Sequence, residues 1–106
     1  MAIKIWVDDV RPAPFGYMNA YTTNIAINII SLAIENGIDI EILDIDHDAG
    51  EYVSDGGDYI KILDWLERKH ISIPIRIHSM NPVGIQNMRA IIEKNGWKEV
   101  AYGNSI

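Results

Sequence analysis

Short alternating apolar bursts punctuate longer stretches of helical period along this chain. Ile3-Lys4-Ile5-Trp6-Val7 alternates and is β-rich, so a first strand is expected there, ending at Asp8-Asp9. Residues 10–16 carry two prolines and a glycine and read as a loop. Residues 17–21 read as a short strand. Thr22 or Thr23 then caps a helix to about Asn36, with Ile25, Ile29, Leu32 and Ala33 as its inward stripe and Gly37 as its stop. Residues 38–46 form the next strand, and the period of two sets Ile40, Ile42, Asp44 and Asp46 on one face. A polar loop over 50–57 follows. Asp58 is expected to cap a helix over 59–69 that turns Ile62, Leu63 and Leu66 inward. Residues 73–77 read as a strand, with Pro74 tolerated near its start. Asn81-Pro82 is a helix start, cap followed by first-turn proline, and that helix stops at Asn95-Gly96. Residues 99–102 are expected to add a short last strand.

Strands alternating with helices imply parallel pairing through right-handed crossovers. The expected fold is therefore α/β: one flavodoxin-like, three-layer domain over 1–106 with a short parallel sheet. In such sheets the carboxyl ends of the strands share one edge, where ligands bind. That edge collects Asp8 and Asp9, then Asp46, His47 and Asp48, then His78 and Ser79. The opposite ends begin with Lys4, Asp39 and Ser72, which show no such convergence.

Charge narrows the chemistry. A net charge of −6 argues against extended duplex nucleic acid and anionic membranes as partners, but leaves room for a small anion held by a local cation. No cysteine is present, so thiolate chemistry is excluded and a reducing, cytoplasmic setting is expected. The apolar run at 1–7 is too short for a signal peptide, and no stretch approaches the roughly 18 apolar residues of a membrane span. The chain does not fix an oligomeric state.

The densest chemistry is Glu41-Ile42-Leu43-Asp44-Ile45-Asp46-His47-Asp48-Ala49-Gly50. Carboxylates at the end of an apolar strand must be solvated, hydrogen-bonded or holding a cation. Asp8-Asp9 reads as a solvated strand end or, beside that cluster, as part of a divalent site. Carboxylate oxygens suit Mg²⁺, Ca²⁺ or Mn²⁺, while His47 and His78 admit a softer metal. His47 between Asp46 and Asp48 suits acid–base work. His78 is a second catalytic candidate or a satisfied strand-end histidine, and regular alternation points it away from Ser79. Ser79 and Asn81 stand at a helix start, which favours an anion such as phosphate, although Asn81 is first a helix cap. Arg11 is the one arginine near the acidic rim, and its planar cation fits phosphate oxygens. Asp44 pairs internally or reaches the metal. His70, Trp6, Trp65 and Trp97 are assigned to packing or surface.

Three stretches carry a resemblance: Val7-Asp8-Asp9-Val10-Arg11-Pro12, Asp46-His47-Asp48-Ala49-Gly50, and Ile75 onward through His78-Ser79-Met80-Asn81-Pro82-Val83-Gly84. In this order and spacing they resemble the signatures of the cyclic-phosphate processing receiver-like domain, with Ile45 and Ala49 where leucine is usual. That family is similar in turn to two-component receiver domains. The likeness implies that Asp8 and Asp9 match the receiver's acidic pair, Asp46 its phosphoacceptor position and Ser79 its hydroxyl. The receiver's lysine after the fifth strand has no counterpart in Val100-Ala101-Tyr102-Gly103, and the loop around Arg11 stands in for the first helix. The resemblance implies a Mg²⁺- or Mn²⁺-dependent phosphoesterase acting on RNA 2′,3′-cyclic ends or cyclic nucleotides, with Asp46, His47, Asp48 and His78 catalytic. A module that sequesters a cyclic nucleotide, as some viral proteins do, and a degenerate signalling receiver are the alternatives.

Overall fold

The computed structural model describes residues 1–101. β1 (Ala2–Val7) lies between β2 (Tyr17–Ala20) and β3 (Asp39–Ile45), and β4 (Ile75–Ile77) extends the sheet beyond β3. All neighbouring pairs are parallel. β4 is shorter than expected and starts just after Pro74, which has no N–H to give to a ladder. The expected last strand shrinks to one parallel bridge between Glu99 and Ile75, with Val100 N donating to Ile75 O at 2.8 Å. Tyr102, its last residue, lies outside the described residues.

α1 (Thr23–Glu35), α2 (Ile60–Lys69) and α3 (Pro82–Asn95) pack in that order, each against the next. The steps from β2 to β3 and from β3 to β4 run the same way across the sheet, so right-handed crossovers put both connecting helices on one face. The β1-to-β2 step runs the other way, and its connection crosses the opposite face as a loop, residues 8–16. That loop takes the place of a helix, as expected. Strand parity follows this division. Ile5, Val7, Leu43, Ile45, Ile75 and Ile77 meet Ala26, Ile30, Leu63, Met88 and Ile92 in one apolar core.

Thr22 caps α1, its hydroxyl accepting from Ile25 N at 3.0 Å. The inward stripe of α1 is Thr23, Ala26, Ile30 and Ala33; the expected Ile25 and Leu32 are 39% and 57% exposed. The polar stripe Asn24, Asn28, Ser31 and Glu35 recurs at helical spacing and faces outward, which turns Ala26, Ile30 and Ala33 inward, and the small alanines let the backbone approach the sheet. Asp58 does not cap α2. The cap position is Tyr59, without a side-chain bond, and Asp58 Oδ1 accepts from Ala49 N at 3.0 Å, pinning the loop after β3. Asn81 caps α3, and Gly96 ends it at φ 66°. Among the described residues no helix is long and apolar enough to cross a membrane.

Candidate metal and phosphate site

β1 and β3 are adjacent, and Val7 pairs with Ile45, so Asp8 and Asp46 leave the sheet side by side. Asp46 N donates to Val7 O at 2.9 Å, fixing that exit. One carboxylate oxygen each from Asp8, Asp9 and Asp46 lies within 4.8 Å of the other two. Asp8 and Asp46 are buried, and Asp9 is half-buried. Gly50, at φ 55°, lies so close to Asp9 that a Cβ would overlap its carboxylate.

Arg11 joins the trio from the β1–β2 loop. Its Nε is 3.1 Å from Asp8 Oδ2, and its Nη2 is 3.2 Å from Asp46 Oδ2. The loop's Val10 N and Arg11 N both donate to Asp8 Oδ1 at 2.9 Å. Burial pushes the Asp8 carboxyl up, but those two amides, His78 and the Arg11 charge outweigh it, and its pKa falls below 3.8. Asp9 goes the other way, raised by burial and then, against a backbone bond that lowers it, by the charges of Asp8 and Asp46. Buried Tyr59, whose hydroxyl donates to Tyr21 O at 2.7 Å, is raised by burial and by all three carboxylates. Three converging carboxylates, one destabilised by the other two, form an all-oxygen donor set that suits a hard divalent cation.

Behind the trio, the loop-covered face carries a chain of polar contacts. His78 lies flat on Trp6, with ring centroids 3.8 Å apart. Its Nδ1 is 2.6 Å from Asp44 Oδ1, and its Nε2 is 3.0 Å from Asp8 Oδ2. Arg76 donates through Nε to Asp44 Oδ2 at 2.7 Å and through Nη2 to Tyr17 Oη at 3.0 Å. Trp6 Nε1 donates to Arg11 O at 3.0 Å, fastening the loop over this layer. His78 therefore buttresses Asp8.

A second cluster gathers over the start of α3. His47 Nδ1 is 2.8 Å from Asp48 Oδ1, and its Nε2 has no hydrogen-bond partner among the described residues. Asn81 Nδ2 reaches Asp48 at 3.4 Å, while Asn81 Oδ1 accepts from Gly84 N at 3.0 Å. Ser79 Oγ accepts from Asn81 N at 3.1 Å. A Cβ on Gly84 would stand 2.5 Å from His47 Cγ, so the ring lies directly on the helix backbone.

The structure thus brings Asp8, Asp9, Asp46, Arg11 and His78 into one cluster and His47, Asp48, Ser79 and Asn81 into its neighbour. Asp44 pairs internally, with Arg76 and His78, which settles the alternative left open by its sequence position. Arg76 and Tyr59 were not singled out from the sequence, Gly84 was read only as part of a motif, and Trp6 only as a packing or surface residue. Parity is the signal that reveals two of them: Trp6 with Asp8, Asp44 with Asp46, and Arg76 with His78 each stand two apart on neighbouring strands. Residues 3–94 match the family model described as the Cyclic-phosphate processing Receiver domain. No curated protein and no solved structure matches the chain.

Proposed function

The chain belongs to the cyclic-phosphate processing receiver domain family, and from that premise we propose that it is a metal-dependent phosphoesterase that opens cyclic phosphates, such as RNA 2′,3′-cyclic ends or cyclic nucleotides. The observation that carries this reading is the meeting of Asp8, Asp9 and Asp46 from two strand exits. These carboxylates would hold Mg²⁺ or Mn²⁺, and a bound cation of that kind polarises a phosphoryl oxygen and acidifies water.

The chain's own groups have separate tasks. Arg11 offers a planar cation to phosphate oxygens at the mouth. The Ser79 hydroxyl and the capped start of α3 add donors beside it. Asp48 holds His47 at Nδ1, so Nε2 is the nitrogen that takes a proton from the attacking water. The water oxygen bonds to phosphorus, one ring P–O bond breaks, and the departing oxygen recovers a proton from the imidazolium. His78 has a carboxylate at each ring nitrogen and acts as a positioning residue for Asp8.

Asp46→Asn is expected to abolish turnover of a 2′,3′-cyclic nucleotide in Mg²⁺ or Mn²⁺; unchanged turnover removes Asp46 from the mechanism. A second reading is capture without turnover. It is favoured by the packing of the His47 ring on α3, apart from the contacts that tie the carboxylate trio together. Denaturing a loaded complex separates the two: intact ligand means capture, linear product means hydrolysis.

A further inference from the structure

A cleft of about 430 Å³ opens beside the carboxylate trio, between the exit of β4 and α3. Its walls include Arg11, His78, Ser79, Met80, Ile85 and Arg89. Arg11 and His78 are also groups that touch Asp8, so the cleft adjoins the trio through these two side chains. The chain has a net charge of −6, yet no carboxylate lines this space and two arginines do. Met80, 86% exposed, and Ile85 give it an apolar side. Arg89 is held in place from one edge. Glu99 takes its Nε at 2.9 Å and its Nη2 at 2.6 Å, and Nη1 has no partner among the described residues. A guanidinium held this way offers a flat cationic surface at little further entropic cost. Tyr21 and Tyr52 also stand partly exposed, but their rings lean on each other with centroids 5.7 Å apart and leave no slot between them.

We propose that this cleft receives the nucleoside of a nucleoside cyclic phosphate whose phosphate lies at Asp8, Asp9 and Asp46, with the base laid against Met80, Ile85 and the guanidinium of Arg89. The inference rests on the proposed function and deepens it by assigning the base of such a substrate a place of its own, outside the carboxylate trio. Clefts of about 300 Å³ and upward accept ligands of this size. A flat ring with polar edges suits an apolar wall on one side and a planar cation on the other. The same nucleoside occurs in a free cyclic nucleotide and at the end of an RNA strand.

The test compares three probes on the full chain with Mg²⁺: adenosine 2′,3′-cyclic phosphate, an oligoribonucleotide ending in that group, and methyl riboside 2,3-cyclic phosphate, which has no base. Apparent affinity is read as KM where a probe is turned over and as Kd where it is captured. Both nucleoside probes are expected to bind at least about tenfold tighter than the base-free one. Arg89→Ala is expected to shrink that preference to about twofold, and Ile85→Trp, which fills the cleft, to do the same. Thermal melting and Mg²⁺ calorimetry establish that each variant is folded, and either variant suffices. An oligonucleotide tighter than the mononucleotide assigns the ligand to RNA ends; equal or weaker binding assigns it to free nucleotides. Equal affinity for all three probes in the unaltered protein overturns the proposal, as does an equal loss for all three in Arg89→Ala. If no probe binds while Mg²⁺ does, the phosphoesterase reading itself fails and takes this inference with it.

Discussion

The two faces of the sheet are built from the same strands and hold together by different physics. On the helix side, Ile5, Val7, Leu43, Ile45 and Ile75 are fully buried against three helices. On the loop side, the alternate residues Trp6, Asp8, Asp44, Asp46, Arg76 and His78 are covered by a proline-containing loop and satisfied by one another. Apolar burial is non-directional, so the first face tolerates repacking. Paired charges out of water return little net stability, but each fixes the direction of its partner. The lesson is a division of labour by parity. One face supplies folding free energy, and the other supplies a pre-set carboxylate geometry at its open end.

The sharpest way to break this comparison is to remove one charge from the loop-covered face. Asp44→Ala takes away the carboxylate that Arg76 and His78 share and is expected to cost about 3–5 kcal/mol in urea unfolding. Asp44→Leu combined with Arg76→Met is expected to recover part of that loss, because it removes both members of the pair. Purely additive losses would mean that the face behaves as an ordinary core. Leu63→Ala, on the helix face, is expected to cost about 2–5 kcal/mol through its cavity. Calorimetry on the folded fraction should find Mg²⁺ affinity retained in that variant.

Acidity separates the two strand-exit aspartates. The folded pKa of Asp8 lies below 3.8, so its stabilisation is complete above 3.8 and is lost as pH falls through the folded value. Asp9 lies above 3.8, so between 3.8 and its folded value the native state binds the extra proton, and stability falls as pH rises through that window. A cation needs Asp9 ionised. Mg²⁺ affinity is therefore expected to drop about tenfold per pH unit below the folded Asp9 value. Asp9→Asn should flatten that dependence in a calorimetric series.

Smaller effects refine the picture. Gly84→Ala pushes a methyl into the His47 ring. It is expected to lower turnover about tenfold and to cost up to about 2 kcal/mol of stability, the overlap being partly offset because alanine favours the helix. Asn19 Oδ1 is buried without a hydrogen-bond partner among the described residues. Asn19→Val is expected to raise the unfolding free energy by about 1 kcal/mol.

Much of this was legible because its signals are local. Asp8-Asp9 at a strand exit, Thr22 before α1, and Asn81-Pro82 before α3 each announce themselves within a few residues. The partners of His78 did not, because they depend on a register spanning three strands, Trp6 beside Asp44 and Asp44 beside Arg76. The phase of α1 was written in Asn24, Asn28, Ser31 and Glu35, a polar stripe at helical spacing opposite Ala26, Ile30 and Ala33, and the expected face missed it by following the large apolar Ile25 and Leu32 instead. Asp58 looked like a cap by residue type, but its carboxylate serves a loop nine residues earlier, which no helix rule anticipates.

Trp6 stacks on His78, meets Tyr17 edge-on at 5.9 Å, and gives its indole hydrogen to Arg11, the residue that also touches Asp8 and Asp46. Any rearrangement of Arg11 on ligand arrival therefore alters the surroundings of a natural chromophore. With Trp65 and Trp97 changed to phenylalanine, the emission of Trp6 becomes an optical gauge of occupancy. Titrating Mg²⁺ and then a cyclic nucleotide should shift its emission in two steps, and a silent spectrum would mean that the loop holds still.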